Sequence, residues 1–192
     1  MRNFWDRQHQ SGSKSWLTFT PPSHVFKQHS LPQLTGKLIL DIGVGNGDFS
    51  RWCVECGNSV IACDISPVAL SKLAGIARTV LVDDISTIPP VDLAVCHLVF
   101  QHCDDAAMSH ILRNVQLVKD GLFSMQVAWL DGEPSPPVQK MMSDGLLVFR
   151  SLDHTKQLIE TAGLSITWIS SEIPYTYCGC RIVWHIIHAQ RG

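Results

Sequence analysis

Three glycines at alternate positions, Gly43, Gly45 and Gly47, form the part of the sequence best suited to bind a ligand. They follow an apolar run that ends just before Asp41, so a buried strand leads directly into a glycine-rich loop. Glycine accepts a positive φ and leaves no Cβ between the backbone and a ligand. In the dinucleotide-binding pattern the third glycine would stand where this sequence has Asp48. Carboxylates beside the loop disfavour a pyrophosphate and favour a ligand with a positively charged group.

The pattern Asp-x-Gly-x-Gly-x-Gly at residues 41–47 resembles motif I of the class I S-adenosylmethionine-dependent methyltransferases. In that family the loop lies against the methionine half of the cofactor. The resemblance implies that S-adenosylmethionine is the cofactor, and that Asp41, Gly43, Gly45 and Gly47 contact it.

A second acid, Asp64, follows the apolar run from Ser59 to Cys63. A carboxylate at the end of the second strand can accept hydrogen bonds from both ribose hydroxyls. We therefore expect Asp64 and the adjacent Ile65 to bind the adenosine half of the cofactor. The alternative is that Asp64 is a solvated helix cap.

A third acid comes after the run 79–82, where Asp83 and Asp84 precede an Ile-Pro pair. The resemblance implies that one of them accepts a hydrogen bond from the adenine amino group. Counting back from Pro89 favours Asp84, together with Ile85. Asp83 stays open, because a shift of one residue at a strand end turns the side chain to the opposite face.

Strand-like and helix-like stretches alternate from Leu38 to Trp129, which predicts an α/β fold with a doubly wound parallel sheet. The resemblance extends this to a mostly parallel seven-stranded sheet with a C-terminal antiparallel hairpin and helices on both faces. We divide the chain into an N-terminal extension, 1–36, and a methyltransferase domain, 37–192. The extension, with Trp5 and Trp16, could cover the ligand cleft.

The loop Asp131–Pro137 and the residues after it, up to Arg150, are the best candidate for a substrate lid. Arg150 and His154 stand beside this segment and could meet an acidic acceptor. Neither is assigned a catalytic role.

Two histidines are candidates for a general base. An alcohol or phenol acceptor must lose a proton, and imidazole is the side chain best suited to take it near neutral pH. His97 is the first choice because it directly follows the fourth strand, 91–96, where the family presents residues toward the transferable methyl group. His102 is the second. A structural role is the alternative for each.

Composition narrows the class of partner. The net charge is −2 and 17% of residues are charged, so no basic surface for nucleic acid is expected. The Asn/Asp-Pro-Pro-aromatic motif of nucleic acid amino methyltransferases is replaced by Cys-His-Leu-Val at 96–99. No apolar run is long enough for a membrane span and no secretory signal is seen, which predicts a cytoplasmic protein. Seven cysteines without a paired zinc pattern predict reduced thiols and no metal.

These features predict an enzyme that transfers methyl groups from S-adenosylmethionine to a small-molecule acceptor, with an oxygen nucleophile ahead of nitrogen or carbon. One alternative is a macromolecular acceptor such as protein, RNA or lipid. Another is a non-catalytic subunit that binds S-adenosylmethionine. The sequence leaves the oligomeric state open.

Overall fold

The computed structural model describes residues 1–11, 21–32 and 34–192, so Trp16 lies outside the described residues. The strands of the described chain form one eight-stranded sheet, and they are β1 (Leu38–Ile42), β2 (Ser59–Asp64), β3 (Arg78–Leu81), β4 (Val91–Cys96), β5 (Leu117–Asp131), β6 (Leu164–Ile169), β7 (Ile173–Tyr177) and β8 (Cys180–Arg191). The α-helices in the same ranges are α1 (Arg2–Ser11), α2 (Pro22–Gln28), α3 (Asp48–Glu55), α4 (Pro67–Ser71), α5 (Asp105–Asn114), α6 (Pro136–Ser143) and α7 (Leu152–Thr161). Short 3-10 helices at Val82–Thr87 and Phe100–His102 follow β3 and β4.

The strand order is β3-β2-β1-β4-β5-β8-β6, and β7 pairs with β8. Strands β1 to β5 run parallel, whereas β8 runs antiparallel to β5, β6 and β7. The order reverses between β1 and β4, which is where open α/β sheets bind ligands. The predicted doubly wound fold with an antiparallel C-terminal end is confirmed.

The C-terminal end contains one strand more than the sequence predicted. Seven strands were expected, but Ile173–Tyr177 forms an additional strand, β7, which pairs with β8 through a two-residue turn. Cys178 and Gly179 both have positive φ, 48° and 77°, as the primed hairpin turns require. Pro174 is compatible with this strand because β7 lies outside the main strand path and pairs only with β8 among the described strands.

Alternation along β1 supplies a core on each face of the sheet. Leu40 and Ile42 join the larger cluster with Phe123, while Ile39 joins a second cluster on the opposite face. Val25 of α2 belongs to that second cluster, as does the neighbouring Leu31. The segment before residue 37 therefore shares the core of the domain, and α2 is held against the same face of the sheet as Ile39.

No helix among the described residues has both the length and the apolar character needed to cross a bilayer.

Candidate active site

A cavity of about 590 Å³ lies at the carboxyl ends of β1, β2 and β4. This volume is in the range of small-molecule sites. Its walls come from the glycine loop after β1, the turns after β2, β3 and β4, the first turns of α5, and one side of α1.

The glycine loop meets the cavity at two of its three glycines. Gly43 and Gly45 line it, with φ of 78° and 55°. A Cβ at Gly45 would have no atom within 4 Å, so the backbone faces open space there. A Cβ at Gly43 would lie 2.1 Å from Cγ2 of Val99, so this glycine allows the turn after β4 to approach. Gly47 lies behind the loop, where a Cβ would meet Leu73 at 2.7 Å.

Asp41 lines the cavity from within β1, and its side chain is buried. Its Oδ2 accepts a hydrogen bond from the Ser50 hydroxyl at 2.6 Å. Burial raises the pKa of this carboxyl to about 6, and the bond from Ser50 opposes the rise. At neutral pH the carboxyl is ionised, which favours a cationic ligand beside it.

Asp64 is also buried and lines the cavity, so it is not a solvated cap. Its Oδ1 accepts from the backbone N–H of Ser66 at 2.9 Å. Burial raises the pKa of Asp64 to about 6, while hydrogen bonds from backbone N–H groups, including those of Gly45 and Val44, oppose the rise. Asp64 thus holds the glycine loop in place, and Ile65 lines the cavity next to it.

The structure places the two acids after β3 differently. Asp83 lines the cavity, whereas Asp84 is exposed and is not part of the described cavity wall. Ile85 is fully buried in the core, because the chain enters a 3-10 helix directly after β3. Of the alternatives left open by the sequence, the geometry therefore brings Asp83 to the cavity in place of Asp84 and Ile85.

Helix α1 covers one side of the cavity with Met1, Trp5 and His9. It is fastened by polar contacts from successive turns. The Arg2 guanidinium donates to the carbonyl oxygen of Ile65 at 3.0 Å and to the Asp83 carboxylate at 2.6 Å.

The later turns of α1 contact α4 and its N-cap. Asp6 accepts a hydrogen bond from the hydroxyl of Ser66, which also caps α4 by accepting from the N–H of Ala69. His9 lies 3.2 Å from the Lys72 ammonium, and burial together with Lys72 lowers the pKa of this imidazole to about 4. Helix α1 thus closes over the part of the cavity that is formed by the turns after β2 and β3.

His97 directly follows β4 and lines the cavity, as predicted from its position in the sequence. Its Nε2 is buried and has no hydrogen-bond partner among the described residues. Its Nδ1 lies 3.0 Å from Nε2 of His29. Burial, with a smaller contribution from His24, lowers the pKa of His97 to about 4, so the ring is neutral at physiological pH.

The backbone after His97 is strained. Leu98 has a φ of 58°, in the left-handed region that a leucine adopts at a cost of about 1–2 kcal/mol. Strained residues persist where the surrounding structure determines them, and such residues concentrate at functional sites. The turn sends the chain into the 3-10 helix at Phe100–His102.

His102 also lines the cavity, but its ring is held by more contacts than that of His97. Its Nδ1 bonds to the carbonyl oxygen of Leu146 at 2.7 Å, and its ring meets Trp5 edge to face at 4.9 Å between centroids. Since a carbonyl accepts only, Nδ1 carries the proton. Burial lowers the pKa of this imidazole.

The segment expected to form a lid lies elsewhere. Residues 131–150 are all described, and none of them lines the cavity. Val138 and Leu147 pack with Cys180 against the C-terminal hairpin. Arg150 is buried and donates to the Asp105 carboxylate at 2.6 Å, and His154 contacts the other oxygen of Asp105 at 2.8 Å. The cover that the structure shows is α1.

Three features of this cavity fit S-adenosylmethionine. Two buried carboxylates, Asp41 and Asp64, give it the negative charge that suits a sulfonium and an ammonium group. Gly45 leaves open space at the backbone where a ligand can approach. The cavity spans the ends of three adjacent strands, long enough for an extended ligand. The residues present therefore fit the cofactor that the motif implies.

Residues 39–120 match the family model described as a methyltransferase domain. A malonyl-[acyl-carrier protein] O-methyltransferase of Hamiltonella defensa subsp. Acyrthosiphon pisum (strain 5AT) is 28% identical to this chain, over 59% of the chain and 52% of the relative. The chain thus spans about half the length of that curated relative.

Solved methyltransferases share the fold. Phosphoethanolamine N-methyltransferase 2 of Haemonchus contortus, in complex with S-adenosyl-L-methionine, superposes with a TM-score of 0.72 at 17% identity, covering 99% of this chain and 59% of that one. Magnesium protoporphyrin IX methyltransferase of Synechocystis PCC 6803, with bound S-adenosylhomocysteine, gives a TM-score of 0.67 at 15% identity, covering 100% and 98%.

The fold, the glycine loop and the buried acids at the strand ends define a Rossmann-like cofactor-binding domain. Residues 39–120 match a methyltransferase domain, and the whole chain shares its fold with solved methyltransferases that hold S-adenosylmethionine or S-adenosylhomocysteine.

Several residues of the site could not be found from the sequence. His29 and Arg2 reach the site from a segment that was treated as an extension, and their partners are 68 and 81 positions away. Neither residue stands at a spacing that would identify it as part of the site. Aromatic residues near the N-terminus were the one available signal, and Trp5 does line the cavity.

Proposed function

We propose that this chain transfers a methyl group from S-adenosylmethionine to a small-molecule acceptor that carries an oxygen nucleophile. The cofactor supplies the methyl group on an activated sulfonium carbon. The protein has to hold the two ligands in line, exclude water and receive the proton that the acceptor loses.

The cofactor half of the proposal rests on the glycine loop and its acids. Asp41 and the backbone at Gly43 and Gly45 would hold the methionine half, and Asp64 would accept hydrogen bonds from the ribose. Asp83 would be the carboxylate that meets the adenine, and its support is that it lines the cavity beside Ile65, where Arg2 contacts both residues. Each of these groups lines the cavity or contacts a residue that does.

The observation that carries the acceptor half is the buried, unpartnered Nε2 of His97, seen among the described residues. An imidazole nitrogen in this state can accept a proton from a hydroxyl placed in the cavity. A carboxylate or an already ionised acceptor would need no such group. His97 therefore supports a hydroxyl acceptor, and the hydrogen bond at Nδ1 holds the ring in position.

The cavity favours a compact acceptor. Its volume is about 590 Å³, and α1 covers one side of it. The relative from Hamiltonella defensa acts on oxygen according to its name, which agrees with the proposed nucleophile. The acyl-carrier protein in that name is the reason to test a protein-bound acceptor as the second candidate.

A labelling experiment tests the proposal. The purified chain is first titrated with S-adenosylmethionine by calorimetry, then incubated with methyl-labelled cofactor and an extract of its source cells. Label in a base-stable methyl ether of a small molecule supports the proposal, whereas a base-labile methyl ester would identify a carboxylate acceptor that needs no base at His97. Label in protein, nucleic acid or lipid would replace it with the macromolecular alternative. Cofactor binding without any labelled product would favour the non-catalytic subunit.

A further inference from the structure

Three side chains from three separate segments form a hydrogen-bonded chain that leads away from the cavity. Ser124 of β5, His29 after α2 and His97 after β4 are connected in series. The Ser124 hydroxyl lies 2.8 Å from Nδ1 of His29, and Nε2 of His29 lies 3.0 Å from Nδ1 of His97. His188 of β8 joins from the side, since its Nε2 lies 2.7 Å from the carbonyl oxygen of His29.

His29 is completely buried, and it is held at two points. A carbonyl oxygen can only accept, so Nε2 of His188 donates and fixes the backbone of His29. The Ser124 hydroxyl fixes the plane of the ring. Burial, and then the neighbouring His97 and His188, lower the pKa of His29, so the ring is neutral. A neutral imidazole has one donor and one acceptor, which makes the chain directional.

The chain can run in two directions. If the Ser124 hydroxyl donates to His29, then His29 donates to His97, and an N–H at Nε2 of His97 points into the cavity. If His97 donates from Nδ1 to His29, then His29 donates to Ser124, and Nε2 of His97 presents a lone pair. Which nitrogen is protonated is set by the hydrogen bond that the other makes. Only the second direction lets His97 take a proton.

We propose that His29 is a positioning residue that holds His97 as the Nδ1-protonated tautomer, with the Nε2 lone pair facing the cavity. This inference rests on the proposed function, because it assigns the direction of the chain from the need for a base. The proton leaving the acceptor hydroxyl binds Nε2 of His97. The Nδ1–H of His97 then shares the positive charge with Nε2 of His29. Ser124 fixes His29 and takes up no charge.

The tautomer can be measured without an acceptor. Long-range 1H–15N correlation spectra of the labelled, full-length protein distinguish the two neutral forms, and a His97→Phe variant assigns the signal. We expect Nδ1 of His97 to carry the proton and Nε2 to be unprotonated. A proton on Nε2 would overturn the proposal. In His29→Leu the signal should shift toward the other tautomer, because Nδ1 loses its acceptor.

Kinetics with the acceptor from the labelling experiment provide the second test. His29→Leu should lower kcat about tenfold to a hundredfold, the scale of a misplaced catalytic group, with the KM of the acceptor and the Kd of S-adenosylmethionine unchanged. His29→Gln should restore part of kcat, since its amide oxygen can accept from Nδ1 of His97. An unchanged kcat in His29→Leu would contradict the proposal.

A matched control separates this effect from general loss of stability. His185→Leu also removes a buried histidine that bonds a backbone carbonyl, that of Ser170, but it lies outside the chain. It should lower Tm and leave kcat unchanged. If His29→Leu does not fold, Ser124→Ala tests the same chain with a smaller change. Wild-type protein that binds cofactor but methylates nothing would refute the proposed function, while the tautomer of His97 would still decide the role of His29.

Discussion

Arg2, in the first turn of α1, forms an ion pair with Asp83 after β3, with Nη2 and Oδ2 2.6 Å apart. The same guanidinium donates from Nε to the carbonyl oxygen of Ile65. Since Ile65 and Asp83 both line the cavity, a residue from the N-terminus joins the two loops expected to hold the adenosine half of the cofactor. The cover over the site is therefore attached to both of these loops.

Arg2→Ala should speed release of the cofactor more than it lowers stability. The ion pair is exposed, with 41% and 70% of the two side chains accessible, so its loss should cost at most about 1 kcal/mol of folding free energy. If the ion pair contributes about 1 kcal/mol to the closed position of α1, its loss should raise the rate of cofactor release about fivefold. Stopped-flow release of S-adenosylhomocysteine measures this. Arg7→Ala, an exposed arginine on the same helix, should release at the wild-type rate; equal rates in both variants would show that α1 does not retain the ligand.

Alanine at Gly43 should mainly lower stability, whereas alanine at Gly45 should mainly weaken cofactor binding. In Gly43→Ala the new Cβ meets Val99 at 2.1 Å and φ is 78°, so the fold should lose about 2–4 kcal/mol. Val99→Ala in the same chain should recover part of this loss. Gly45→Ala meets no atom within 4 Å and should cost only about 1–2 kcal/mol in strain, yet weaken cofactor binding, because its methyl group occupies the open space. Thermal unfolding and calorimetry distinguish the two, and equal effects on both readouts would contradict this assignment.

The part of the site that lies within a single strand and loop was predictable. Asp41, Gly43 and Gly45 are separated by two to four positions, and strand geometry brings them to the cavity without any long-range information, whereas Gly47, also expected there, packs against Leu73. Asp64 was predictable for the same reason, because the carboxyl ends of adjacent parallel strands meet at one edge. The doubly wound parallel sheet followed from the alternation of strands and helices.

The remaining residues depend on contacts that sequence patterns do not encode. Whether Asp83 or Asp84 faces the cavity depends on the 3-10 helix that begins at Val82, and a difference of one residue reverses the answer. His29 and Arg2 act through partners more than 60 positions away. The segment expected to be a lid packs instead on the C-terminal hairpin, whose extra strand was not predicted.

Cofactor affinity should fall as the pH drops through about 6. Burial raises the pKa of Asp64 to about 6 in the ligand-free protein. Ribose hydroxyls donate to the carboxylate, so they bind the ionised form better, and binding is retained above this pKa and lost below it. Protonation of Asp64 alone should raise the Kd at pH 5 up to about tenfold above its value at pH 7. Asp41, whose pKa burial also raises to about 6, should add a dependence of the same sign, because its ionised form favours the cationic groups of the cofactor. Calorimetry across this range measures the profile.

Two variants assign that profile to its residue. Asp64→Ala should weaken binding by about 1–3 kcal/mol at pH 7, the scale of a lost charged hydrogen-bond partner. Its remaining affinity should depend less on pH. Asp48→Asn, which changes another carboxylate that lines the cavity, should keep the wild-type profile. An unchanged affinity in Asp64→Ala would remove Asp64 from the cofactor site.

His97→Ala should abolish most of the turnover while leaving the cofactor Kd unchanged. A general base contributes about a hundredfold or more to turnover, and His97 contacts no residue of the glycine loop through a described hydrogen bond.

The pH profile of kcat gives a second test. Because burial lowers the pKa of His97 to about 4, its ring stays neutral, and kcat at saturating cofactor should be flat from pH 8 down to pH 5 and fall only toward pH 4. His110→Ala, at a histidine that lines the same cavity and bonds the Val82 carbonyl, serves as the control and should keep near-normal turnover. Normal turnover in His97→Ala would reduce that residue to a packing role, and a fall in kcat near pH 6.5 would show that its ring is exposed to water during the reaction.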